Sequence, residues 1–152
     1  MSPVDPVPWT CLADELGLDG QGLVFGDSNQ ADDLIARCRN AGYAVLTVDT
    51  ASVTDFREAQ ARIAAALRLP ETAGRNLDAL ADSLRDLARY WPEADRVALV
   101  WSHPEKLIEA DAAGWFRLAN VLDDASARLW RGGSDPEDRL FETLLLARGF
   151  GS

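Results

Sequence analysis

Histidine is almost missing from this sequence of 152 residues: His103 stands alone, and the two cysteines, Cys11 and Cys38, lie far from it in the chain. That shortage argues against a metal centre built on imidazole and thiolate, and no cofactor or metal is expected. Two cysteines make no disulfide framework in a chain of this size, so a reducing compartment, the cytoplasm, is the expected location. Cys38 falls among apolar helix positions and reads as a small core residue. No G-x-S-x-G elbow occurs, and no apolar run is long enough to cross a bilayer. The N-terminal MSPVDPVPW has no basic region followed by an apolar stretch, so no secretory signal is expected.

Positive charge is also scarce. Fifteen Lys and Arg face 25 Asp and Glu, a formal net charge of -10. Such a field repels nucleic acid and anionic membrane, steers basic partners inward, and also serves plain solubility. What is plentiful is apolar surface: 47% hydrophobic against 26% charged residues is the balance of a folded domain. The length suits one domain with a proper core.

Along the chain, residues 1–20 are proline-rich and acidic and read as a surface arm, with Trp9 docked on the domain; 21–152 form the domain itself. Leu23 to Asp27 reads as a buried strand, followed by a helix with Asp32 and Asp33 early, Leu34, Ile35 and Cys38 apolar, and Gly42 as its stop. Tyr43 to Asp49 is a β-branched central strand, so a right-handed parallel crossover is expected here. A second helix starts near Thr54, with Phe56, Ile63 and Leu67 on its core face, and ends at Pro70. Asn76 is the expected N-cap of a helix in which Leu77, Leu80, Leu84 and Leu87 recur down to Tyr90. Val97 to Trp101 is the next strand, and residues 111 to 128 the next helix, with Trp115, Leu118, Leu122 and Ala125 in one stripe. Leu140 to Leu146 fits either a helix behind an Asp135–Pro136 start or a buried strand. The alternation upstream favours the strand. The expected fold is α/β, a parallel sheet of three to four strands with helices packed around it.

Three places invite a chemical reading. Ser102 and His103 follow a strand end, where catalytic residues occur, but the same position suits an ordinary loop histidine. Gly26, Asp27 and Ser28 lead from a strand into a helix, where an anion can bind, yet the glycine pattern is wanting and Asp27 has the wrong sign. The third is the run from Leu67 to Leu84. Its leucines point inward, while Asp78, Asp82 and Asp86 recur every four residues along another face. Like charges at that spacing oppose helix formation by a few tenths of a kcal/mol, partly relieved by the helix dipole at Asp78 and by Arg85 and Arg89. An ordinary solvated face explains the row. So does a row of carboxylates imitating phosphates for a basic cleft.

The order of a strand, a helix ending in Leu69–Pro70, a loop with Gly74, the run N-L-D-A-L-A-D from Asn76 to Asp82, and then VALVW resembles the barstar family of small acidic ribonuclease inhibitors, over residues 43–146. The resemblance implies a barstar-like core at 43–146 with an added strand–helix unit at 21–42 that extends or covers a sheet edge. It implies a non-catalytic protein whose partner is a basic ribonuclease or ribonuclease toxin domain, held harmless for self-protection or immunity; a monomer is expected, and the acidic charge argues against nucleic acid or membrane as partner. Asp78 and Asp82 match the family's two active-site-plugging aspartates, and Gly74 and Asn76 its loop and helix entry. Thr72, Arg75 and Ala81 complete the implied partner-binding set, with Asp124, or Asp123 beside it, as a flanking acidic contact. Departures are plain: Thr72 and Ala73 stand where the family has aromatic residues, Ala81 replaces a tryptophan, and Arg75 replaces an acidic residue. The stretch from Trp130 to Asp138 reads as an enlarged loop. Two rival readings remain: an acidic interaction domain whose basic partner is no nuclease, and a small-molecule enzyme using the first strand-to-helix turn.

Overall fold

The computed structural model describes residues 12–18, 20–130 and 136–148, so Trp9, Cys11 and residues 131–135 of the enlarged loop lie outside the described residues. In chain order the elements are α1 (Leu12–Leu16), β1 (Gly20–Gln21), β2 (Leu23–Asp27), α2 (Ala31–Asn40), β3 (Ala44–Asp49), α3 (Phe56–Ala66), α4 (Leu77–Arg85), α5 (Leu87–Tyr90), β4 (Arg96–Ser102), α6 (Glu105–Ala110), α7 (Ala112–Leu129) and β5 (Leu140–Ala147). Short 3-10 turns at Ser28–Gln30 and Glu71–Gly74 complete them.

The sheet order is β1-β2-β5-β4-β3. Four strands are parallel, and only the two-residue β1 runs antiparallel, against β2. β4 and β5 are central, and their composition shows it: Val97 to Trp101 and every residue of β5 are buried, the continuous burial expected of a parallel sheet covered on both faces. Leu140 to Leu146 is therefore strand, not helix. It lies between Arg96 to Ser102 on one side and Leu23 to Asp27 on the other.

Alternation sorts the core into two layers. Val97, Leu99, Trp101, Phe141 and Leu145 meet α3, α4, α5 and α7 on one face. Ala98, Val100, Leu140, Leu144 and Leu146 meet α1 and α2 on the other, with Cys38 fully buried there. Burial pushes the Cys38 thiol up to about 11, with nearby Glu142 adding to the effect, so it is a core residue with no nucleophilic character at neutral pH.

Several expectations shift. β2 and β3 are parallel, as strand–helix–strand requires, but they are not neighbours: β5 and β4 lie between them. The 21–42 unit thus adds β2 to the sheet edge beside β5 and lays α2 across one face. The surface arm expected over residues 1–20 is, from Leu12 on, a helix whose Leu12, Ala13 and Leu16 are buried against that face. Spacing of i, i+1 and i+4 puts those three on one side, so the segment buries apolar area in the core. α3 starts at Phe56, capped by Asp55, whose carboxylate accepts from the Arg57 N–H at 2.9 Å. It ends at Ala66, four residues before Pro70, in a left-handed turn at Arg68 (φ 62°) closed by Leu69 N–H donating to the Ala64 carbonyl at 2.9 Å. The left-handed conformation is costly for a non-glycine residue. Arg68 offsets it by stacking 3.7 Å over the Trp91 ring and pairing with Glu93. The leucine repeat down to Tyr90 is broken at Asp86 into α4 and α5. α6 was not foreseen.

Candidate functional site

The acidic run is presented by a short, tightly braced segment. After Pro70 the chain makes a 3-10 turn in which Ala73 is fully buried. The Ala73 carbonyl accepts from Gln60 Nε2 of α3 at 2.9 Å, and Gln60 is itself buried. Gly74 then lies directly on α3. A Cβ there would stand 3.1 Å from the Ala61 Cα, so a side chain would push the turn off the helix. Glu71 and Arg75 pair across the turn. Gln60→Leu, which orphans the Ala73 carbonyl, is expected to lower stability by about 1–2 kcal/mol. Hydrogen exchange should also quicken over residues 71–75, and an unchanged exchange pattern would refute the brace.

Asn76 enters α4 in extended conformation (φ -143°, ψ 130°), its side-chain oxygen accepting from the N–H groups of Asp78 at 2.7 Å and Ala79 at 3.3 Å. This is the N-cap expected from the sequence. Leu80 and Leu84 are buried and tie α4 to the core. Asp78, Asp82 and Asp86 are all exposed, and Ala81 is half-buried between them. Among the described residues Asp78 makes no ion pair, whereas Asp82, 72% exposed, pairs with Arg85 at 3.1 Å. No Arg89–Asp86 ion pair forms among the described residues. The outward row of carboxylates is therefore only partly neutralised from within.

Thr72, Gly74, Arg75, Asn76, Asp78, Ala81 and Asp82 thus follow one another along one turn and one helix, with Thr72 and Arg75 exposed. Asp124 is set apart on α7, the helix against which α4 packs. It is exposed and already paired with Arg128 at 2.9 Å. Asp123 turns elsewhere: its carboxylate abuts Gly22 and borders a cleft of about 550 Å³ with Ser126, Trp130 and Glu142.

The two other chemical readings fare differently. Asp27 uses its carboxylate to cap the 3-10 turn, accepting from Asn29 N–H at 2.9 Å, so the anion-binding N–H is occupied by a side chain of the wrong sign. His103 adopts a left-handed conformation (φ 56°), and its Nδ1 lies 3.2 Å from the Asp49 carboxylate at the ends of adjacent strands. Neither Ser102 nor His103 lines the cleft at Asp123. No cluster of three or more His, Cys, Asp or Glu able to hold a metal occurs among the described residues. No helix among them is long and apolar enough to cross a membrane.

Sequence reasoning missed Gln60, Arg68 and the close seat of Gly74 on α3. Gln60 could have been found: it lies on the Phe56–Ile63 stripe, where a polar side chain needs a buried partner.

Fold and surface together define a parallel-sheet α/β protein that displays a capped helix bearing outward carboxylates. A family model described as Barstar (barnase inhibitor) matches residues 43–144, and the chain belongs to that family. The match runs from β3 into β5, ending at Leu144, and leaves α1, β1, β2 and α2 as an addition. No curated protein and no solved structure matches the chain. The family is one of inhibitors rather than enzymes.

Proposed function

We propose that this protein inhibits a basic ribonuclease by placing Asp78 and Asp82 in its phosphate-binding cleft. Thr72, Gly74, Arg75, Asn76 and Ala81 would form the rim, and Asp124 would flank it. The observation that carries the reading is the exposure of both carboxylates on a helix whose other face is fixed by Leu80 and Leu84 and whose start is fixed by Asn76. A ribonuclease must hold phosphate with cationic side chains, and rigid carboxylates one helical turn apart meet the same cations without having to be ordered on binding. The protein's net charge of -10 adds long-range attraction. The setting that suits these properties is the cytoplasm of a cell that must be kept safe from its own or a rival's nuclease.

The test is direct inhibition. Purified protein added to a barnase-type ribonuclease should block RNA cleavage at one-to-one ratio. The association rate should fall about tenfold or more between low salt and 0.5 M salt, because the steering field is screened. Salt-independent association would remove the electrostatic argument. Capture of a basic partner without RNA-cleaving activity would favour the rival interaction-domain reading.

A further inference from the structure

We propose that the groove between α3 and the 3-10 turn is a second part of the same interface, and that it receives a bulky apolar side chain from the basic partner. The groove, of about 360 Å³, is lined by Ala61, Ala64, Ala65, Leu69, Pro70 and Gly74, with Glu71 and Arg75 also bordering it. This rests on the inhibitor reading and states what kind of nuclease surface the protein fits.

Protein interfaces take much of their strength from a few large side chains sunk into desolvated pockets. This protein offers none from its own site. Thr72 and Ala81 are small, and Ala73 is small and fully buried beneath the turn. It has the complementary shape instead. Ala61 and Ala65 are exposed alanines on α3, and larger residues at either position would occupy the recess. Its volume, near the lower end for ligand clefts, has room for one large side chain. The anchor is thus reversed: the partner inserts, and the inhibitor receives.

Two observations select the occupant. Gly74 and Arg75 border the groove and also lead into Asn76 and Asp78, so a partner seated on the acidic helix reaches the groove without leaving its footprint. At the rim Glu71 is paired with Arg75, so the negative charge the groove's occupant meets is that of Asp78 and Asp82, which follow along the same turn and helix, and of the protein as a whole. A second copy of this chain, itself at -10, would bring like charge against like. A basic surface carrying an aromatic or large aliphatic residue next to its cationic cleft satisfies both requirements.

Ala65→Glu tests this with a built-in control, because the added negative charge favours a basic partner by steering alone. Against a catalytically inactive barnase-type ribonuclease, the variant should dissociate at least tenfold faster, with association no slower and the melting midpoint unchanged. Ala65→Gln should behave similarly without the charge. Independently, indole titrated into the full-length ¹⁵N-labelled protein should move the amides of Ala61, Ala65, Gly74 and Arg75, and Ala65→Glu should abolish those shifts. If the Ala65 variants bind normally and indole moves none of these amides, while Asp78→Asn and Asp82→Asn still weaken binding, the groove assignment alone is overturned. If the aspartate variants also bind normally, the inhibitor reading falls with it. Concentration-dependent dimerisation abolished by Ala65→Glu would give the groove to a second copy, which also overturns the proposal.

Discussion

Replacing Asp78 and Asp82 together by asparagine is expected to weaken binding to the target ribonuclease by a factor of 10³ or more. Removing one member of a desolvated, hydrogen-bonded charge pair costs about 2–5 kcal/mol, because the other charge is left buried without a partner; that range is anchored partly on the barnase–barstar pair itself, whose inhibitor belongs to this family. Asparagine preserves size and the α4 backbone, so the loss reports charge. The two positions should not be equal. Asp82 already holds Arg85, whereas Asp78 makes no ion pair among the described residues. A partner cation at Asp82 therefore competes with an internal one, and Asp78→Asn should cost more than Asp82→Asn. Arg85→Ala should narrow that difference by releasing Asp82. Because Asp78 also sits in the first turn of α4, where an anion is favoured by the dipole, its removal carries a stability cost of a few tenths of a kcal/mol, to be subtracted using a melting curve. Surface plasmon resonance on the single, double and Arg85 variants measures all of these terms. Equal affinity of the double variant and wild type would sink the assignment of the site.

The parts of the molecule that were legible from the sequence are those governed by short-range rules. β4 and the Asn76 cap were readable because a continuous apolar run and a side-chain oxygen before a leucine repeat each depend on a few adjacent residues. The strand at Leu140 to Ala147 was readable only through the alternation upstream, since its own residues suit a buried helix equally well. The acidic row was visible as a pattern, but its meaning was not. Whether Asp78 or Asp82 is internally neutralised depends on the rotamer of Arg85, and periodicity says nothing about that. Features made by distant segments stayed hidden. The groove at Ala61 and Gly74 joins a helix to a turn thirteen residues later, and helix α1 looked like a proline-rich arm because its buried side is only three residues wide. The break at Asp86 was missed because the leucine spacing continues straight through it.

The least legible residue has the largest structural consequence. Glu142 is the third residue of β5, 5% exposed, with its Oε2 accepting from the Leu12 N–H at 2.6 Å and from the Tyr43 hydroxyl at 2.9 Å. Those partners lie 130 and 99 residues away. Desolvation raises its carboxyl above the ordinary value of 4.5. The N–H of Leu12, the hydroxyl of Tyr43 and the N–H of Gly22 pull it back only in part, and Asp14 adds to the rise. The Tyr43 hydroxyl is pushed up in turn, by burial first and then by the carboxylate, so it remains a donor throughout the accessible pH range. Glu142 is thus the acceptor that fastens α1 to the sheet. Glu142→Ala, which strands two buried donors, is expected to cost roughly 2–4 kcal/mol. That corresponds to a fall of about 5–15 °C in melting midpoint for a domain of this size. Glu142→Gln, which keeps an acceptor for Leu12 and Tyr43, should lose less. The pH dependence follows from the sign of the shift. Between 4.5 and the higher folded-state value, the native protein holds a proton that the unfolded chain has released, so this group makes stability fall as pH rises across that window. Most carboxylates act in the opposite sense on acidification, so the quantity to measure is the difference in unfolding free energy between wild type and Glu142→Gln from pH 4.5 to 8. Wild type should gain on the variant as the pH is lowered, and a difference that does not change with pH would show that Glu142 is ionised at no cost. A Glu142→Ala protein that melts with the wild type would show that α1 is held by its leucines alone.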